Sequence, residues 1–256
     1  PSAAKLLAAR VRAGVADFCF MILEISKCKP NASFISIFVE VICCGPLSFG
    51  PTAYLLLMKD IRDDLAACRL CAERFAVTAT QHCPRPIVWF KPGARLLIAS
   101  QAPGKRVHEA GKPFWDMSGT RLRDWLGLDE ATFYDRNRVA IVPMGFCFPG
   151  YDAKGSDLPP PRICAQTWRK PVLEMLPDLR LTVLIGAYAM KYHLPGFRNV
   201  TEAVAGWRDH PPGVFALPHP SWRNTGWLNK NPWFAEEVLP RLRAAVSEVM
   251  NDRAPN

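Results

Sequence analysis

Residues 95–104 read Arg-Leu-Leu-Ile-Ala-Ser-Gln-Ala-Pro-Gly. The apolar run is continuous rather than alternating, which is the pattern of a strand covered on both faces. Pro103-Gly104 then closes it with a tight turn that can bring backbone N–H groups toward a ligand. Three more runs of the same kind follow, at 138–144, 181–186 and 214–217. Helical patterns separate them. Residues 59–75 read as one helix with Ile61, Leu65 and Cys68 on a single face. Ser118 is a candidate cap for a helix whose core face is Leu122, Trp125 and Leu126. Residues 162–176 form another helix. Asn231-Pro232 opens the last one, which turns Phe234, Val238, Leu242, Val246 and Val249 inward with a kink at Pro240. Alternation of strand and helix implies an α/β fold: three layers, α/β/α, around a four-stranded, mostly parallel sheet with right-handed crossovers. No internal repeat or low-complexity segment interrupts it.

The chain has 256 residues, of which 49% are apolar and 21% charged, enough for one domain with a real core plus an extension. The expected boundary falls at Met58, a candidate start: 1–57 is an extension of unknown role, and 58–256 is the domain. Within the extension, residues 3–16 are basic and amphipathic. Residues 34–58 are apolar apart from Glu40, but Gly45-Pro46 and Gly50-Pro51 argue against one continuous membrane helix. The formal net charge is +9, with +2 on residues 1–57 and +7 on the rest. A surplus of that size favours anionic partners, nucleic acid first, although a basic protein without such a partner has the same composition. Nine cysteines, an odd number without the spacing of a small secreted scaffold, suit a reduced cytoplasmic compartment with metal-bound or free thiols.

In parallel sheets the ligand sits beyond the carboxyl ends of the strands. That rule selects the loops 101–117, 145–160 and 218–230, which should share one rim. In the first, Phe114 and Trp115 offer flat apolar faces, and Gln101, His108, Glu109 and Asp116 offer polar chemistry; a solvated loop with a core-facing Phe is the plainer alternative. In the last, prolines on both sides stiffen the backbone around His219. Trp222, Arg223, Asn224, Trp227 and Lys230 then mix aromatic and basic groups, a combination that meets phosphates and wedges a base stack.

Gln101-Ala102-Pro103-Gly104, then Gly111-Lys112-Pro113-Phe114, then His219-Pro220-Ser221 resemble the motifs of the uracil-DNA glycosylase superfamily. The pattern is most similar to its iron–sulfur-containing bacterial and archaeal branch, over about residues 60–250. The resemblance implies a DNA glycosylase that hydrolyses the N-glycosidic bond of uracil, or a related deaminated base, flipped out of DNA, so initiating base excision repair on the nucleoid. It implies roles as well. Phe114 stacks on the flipped base, Gln101, Ala102, Pro103 and Gly104 hold the base and adjacent phosphate, and His219 donates a hydrogen bond to the pyrimidine O2. Lys105 and Arg106 meet DNA, and Ser221, Trp222, Arg223 and Asn224 form the minor-groove insertion loop. Bond rupture leaves an oxocarbenium-like sugar and an anionic base, and one donor aimed at such an anion is worth roughly 3 kcal/mol in comparable sites.

The sequence departs from the family in two places. The water-positioning Asp of the first motif is replaced by Ala102, as in the iron–sulfur branch, and that branch's later acid is replaced by Val107. Glu109 is the expected substitute, as water activator or cation stabiliser, with Gln101 beside it. The family's uracil-reading Asn at the end of strand two is absent; Met144 stands in that segment, and its backbone is the expected replacement.

Cys68-x2-Cys71 with Cys147-x16-Cys164 is similar to the four cluster ligands of the iron–sulfur branch, which implies a structural [4Fe–4S] cluster. Zinc on four cysteines and buried, unliganded thiols are the chemical alternatives. The functional alternative to the glycosylase is a non-catalytic or crosslinking binder of uracil-containing or abasic DNA, drawn from Val107 and its neighbour His108. A small-nucleotide enzyme is disfavoured because neither G-x-G-x-x-G nor a Walker loop is present. A monomer without membrane contact is expected.

Overall fold

The computed structural model describes residues 60–252; the extension over 1–57 lies outside the described residues. The chain runs α1 (Ile61–Ala66), α2 (Ala72–Ala76), β1 (Leu96–Ala99), α3 (Lys105–Ala110), α4 (Met117–Leu126), α5 (Glu130–Tyr134), β2 (Val139–Ile141), α6 (Arg162–Glu174), β3 (Leu181–Ile185), α7 (Gly186–His193), α8 (Val200–Ala205), β4 (Val214–Leu217), α9 (Thr225–Lys230) and α10 (Leu239–Asn251). The four strands form one sheet in the order β2-β1-β3-β4. Every neighbouring pair is parallel.

The continuous apolar runs are explained by what covers them. Leu96 and Ile98 of β1 join Leu122, Trp125 and Leu126 of α4 and Leu242 and Val246 of α10 on one face. Leu97 joins Leu65 of α1 and Val172 of α6 on the other. The central strand β1 is therefore buried on both faces, as its composition requires, while Val214 and Phe215 of the edge strand β4 stay partly exposed, and the result is the three-layer α/β arrangement.

Three helix expectations are corrected. Residues 59–75 do not make one helix: α1 ends at Ala66 and α2 begins at Ala72. Cys68 and Cys71 occupy the break, which turns both thiols toward one hollow rather than along a helix face. The cap of α4 is Asp116, whose carboxylate accepts from the Gly119 N–H at 3.0 Å; Ser118 lies inside the helix. The last helix does not simply kink. A π-helical turn, Phe234–Val238, passes into α10, with Pro240 in the first turn of the α segment, where its missing N–H costs nothing. Among the described residues no helix is long and apolar enough to cross a membrane.

Candidate active site

The strand order places a topological switch at β1, whose neighbours β2 and β3 are reached by crossovers on opposite sides. A cleft of about 640 Å³ opens there, well within the range of ligand pockets. Its walls come from the loops after β1, β2 and β4. Gln101, Ala102, Pro103, Gly104, Lys105, Arg106, Phe114, His219, Ser221, Trp222 and Arg223 all line it. The three rim loops picked from the sequence do converge.

The first loop is zippered to the chain beyond β2. The N–H of Met144 donates to the Ser100 carbonyl at 2.8 Å, and that of Gly145 to the Gln101 carbonyl at 3.0 Å. Gly145 is required by the close approach: a Cβ there would stand 3.0 Å from Pro160 and 3.7 Å from Ala102.

Phe114 is held in an unusual backbone conformation. Its φ is +52°, a region that costs a non-glycine residue free energy and persists only where the surroundings enforce it. Two contacts enforce it. The Tyr134 hydroxyl donates to the carbonyls of Pro113 and Phe114, at 3.0 and 3.2 Å. The Phe114 carbonyl also lies directly over Gly119, where a Cβ would meet it at 1.8 Å. The ring is 9% exposed and stands edge-on to Phe133 at 6.2 Å, while still forming part of the cleft wall. The strained residue is thus the one the base would stack on.

His219 follows β4. Its Nδ1 accepts from the Ser221 N–H at 3.2 Å, which assigns the ring proton to Nε2. The Asn224 amide donates to the His219 carbonyl at 2.8 Å, and Arg121 of α4 donates to the Ser221 carbonyl at 3.1 Å. The loop is therefore fixed from both sides. Burial lowers the imidazole pKa, opposed by the charges of Asp116 and Asp157, so the ring is neutral at pH 7. The cleft receives a neutral N–H donor, the form suited to stabilising an anion without a competing proton transfer. Trp222, 73% exposed, stands on the cleft rim with Arg223 beside it.

Three expected site residues, Met144, Glu109 and Asn224, do not line the cleft. Met144 is 6% exposed and packs into the core beneath it; Pro143 reaches the wall in its place. Glu109 sits on the outer side of α3, its side chain 60% exposed and 4.0 Å from Lys105. Val107 is the residue α3 turns inward. His108 does not line the cleft either; its ring packs against His82 and Phe148. Asn224 supports the loop through its bond to His219. The sequence reading passed over Arg121, Tyr151, Ser156 and Asp157. The last three lie in the loop after β2 and line the cleft. Their available signal was position alone, since that loop leaves a strand on the same rim.

Away from the cleft, Cys68, Cys71, Cys147 and Cys164 line a single hollow with Leu65, Phe75 and Trp168. Burial pushes the Cys147 thiol far above its ordinary range, with the Cys164 charge next in importance. Burial also raises Cys164, to about 11. Among the described residues no three His, Cys, Asp or Glu side chains are gathered tightly enough to grip a single ion.

The profile of the Uracil DNA glycosylase superfamily matches residues 87–243. The chain belongs to that superfamily. The match runs from Ile87, ahead of β1, to the first residues of α10, and so includes every residue that lines the cleft. Family membership agrees with the geometry: a cleft at the carboxyl ends of a parallel sheet with an aromatic wall and a histidine.

Proposed function

We propose that this protein hydrolyses the N-glycosidic bond of uracil, or of a related deaminated base, flipped out of DNA. The observation that carries the proposal is His219 in the cleft with its Nδ1 occupied by the Ser221 N–H, leaving Nε2–H to donate. As the glycosidic bond breaks, negative charge gathers on the base, and a preoriented neutral donor at O2 stabilises it where water has been excluded. Phe114 stacks on the extruded base. The cost of extrusion is a few kcal/mol, least for mispaired or single-stranded bases, and the exposed Trp222 is placed to fill the stack the base leaves. Lys105, Arg106 and Arg223 supply cations to the flanking phosphates.

Met144 is buried, so its side chain does not take the place of the family's uracil-reading Asn. Base choice then rests on backbone groups near Pro143, and a wider range of deaminated bases is expected. The test is free-base release from oligonucleotides carrying uracil, hypoxanthine or xanthine, each single- and double-stranded. Release of at least one base supports the reading; a tight or covalent complex without free base supports a binder instead.

The four cysteines suit a structural [4Fe–4S] cluster. Four thiols line one apolar hollow, and burial together with repulsion from neighbouring thiolates disfavours the thiolates of Cys71, Cys147 and Cys164 there. A cationic cluster reverses both costs. Its thiolates bind separate iron atoms and tolerate a wide ring, whereas zinc needs four sulfurs about 2.3 Å from one centre. When bound, the cluster would tie the segment before α2 to the loop after β2. Anaerobically purified protein should then contain iron and inorganic sulfide in equal amounts; zinc alone, or neither, would contradict this.

A further inference from the structure

Hydrolysis needs a group that accepts a proton from water and faces the cationic sugar, and the sequence offered Glu109, which the fold turns outward. Among the described residues the cleft is lined by two carboxylates, Asp116 and Asp157. Asp116 is engaged, because it caps α4 through the Gly119 N–H at 3.0 Å. Asp157 accepts no hydrogen bond from the described residues.

Asp157 is also held in a built position. Residues 150–158 form a small hairpin in which Tyr151 pairs with Asp157 as an antiparallel bridge. The Leu158 N–H donates to the Gly150 carbonyl, and the Asp152 N–H to the Ser156 carbonyl, both at 2.9 Å. The Asp152 carboxylate closes the turn by accepting from the N–H groups of Lys154 and Ser156, at 2.8 and 2.9 Å. Gly150, at φ +94°, lies against Thr78, where a Cβ would come within 2.9 Å. The hairpin therefore sets Tyr151, Ser156 and Asp157 along the cleft wall as a unit.

We propose that Asp157 is the catalytic carboxylate of this glycosylase. The inference rests on the function proposed above. As the C1′–N bond breaks, its electron pair passes to the base, where His219 Nε2–H donates to the developing anion. The water oxygen bonds to C1′ and its proton passes to Asp157, which later releases it to solvent. The base anion takes up a proton from solvent, so the products are an abasic site and the neutral base. Partial burial raises the Asp157 pKa, opposed by the charges of Arg223 and His219. Tyr151 faces it from the same hairpin, and the charges of Glu109, Arg223 and Arg106 also act on Tyr151. Asp157 acts as the carboxylate, so the rate falls as pH drops through that raised pKa.

The test is single-turnover uracil release by the wild type, D157N and E109Q across pH, with affinity for DNA carrying an uncleavable 2′-fluoro deoxyuridine. Positioned general bases contribute about 10²–10⁴-fold. D157N is expected to slow release at least about a hundredfold while binding the uncleavable DNA like the wild type, and to lose the acidic limb of the pH profile. E109Q is expected to match the wild type. Release by D157N close to the wild-type rate, or an unchanged acidic limb, overturns the assignment and leaves the glycosylase reading standing. Absence of release by the wild type overturns both.

Discussion

His219 illustrates how much of this site is settled by one hydrogen bond. With Nδ1 accepting from Ser221, the ring has one tautomer, and a second proton would place two N–H groups face to face. Burial lowers its pKa from the ordinary 6.5. Nitrogen-detected NMR should therefore show the Nε2–H tautomer at pH 7, still neutral below pH 6.5; a protonated ring at pH 6.5 would contradict the donor assignment. The histidine itself was legible from the sequence, because it stands between prolines just past a strand. Glu109 was misread for a geometric reason. It follows Val107 by two residues, and two residues rotate a helical side chain by about 200°. Val107 is the buried residue of α3, and Glu109 lies on its exposed side, paired with Lys105 one turn away.

At the scale of the elements, the strands were the most legible feature. Each apolar run marks a strand of the sheet, and residues 214–217 coincide with β4, whose first two residues stay partly exposed at the sheet edge. What the sequence could not reveal was pairing between loops. The left-handed Phe114 depends on Tyr134 twenty residues away and on the bare Cα of Gly119. Gly119→Ala should thus displace Phe114, with base release slowed and melting temperature lowered; an unchanged rate would show that the ring position is not essential. Another unreadable pairing lies behind β2. Arg169 of α6, 0% exposed, donates to the Val142 carbonyl at 2.6 Å and contacts His193 of α7 through its guanidinium. It pins the strand end from which Pro143 reaches the cleft. Burial, then the Arg169 charge, lowers the His193 pKa to about 4. Between that value and the unfolded 6.5 the unfolded chain binds a proton the folded one refuses. Stability should therefore fall as pH drops from 6.5 toward 4 and change little above 6.5 on this account. A denaturation series across pH checks the sign, and a flat curve over that range would contradict it.

At the scale of the molecule, the positive charge read from composition acquires a location at the cleft rim, on Lys105, Arg106 and Arg223. Each cation meeting a phosphate releases counterions, steepening the salt dependence of binding. Arg106→Gln should weaken binding evenly across sequences and reduce the slope of log K against log salt by about one. An unchanged slope would move the DNA track elsewhere. The four cysteines were singled out by their resemblance to the iron–sulfur branch, but their convergence on one hollow required the break between α1 and α2, which periodicity alone read as continuous helix. Under the proposed function, the cleft brings Phe114, His219 and the β1 loop onto one extruded base. The most direct test of that claim is free-uracil release from a labelled single-uracil oligonucleotide by the wild type and by His219→Ala. The account predicts release by the wild type and a loss of about 10²–10³-fold in the variant with DNA binding retained. Equal release by the two proteins would contradict it.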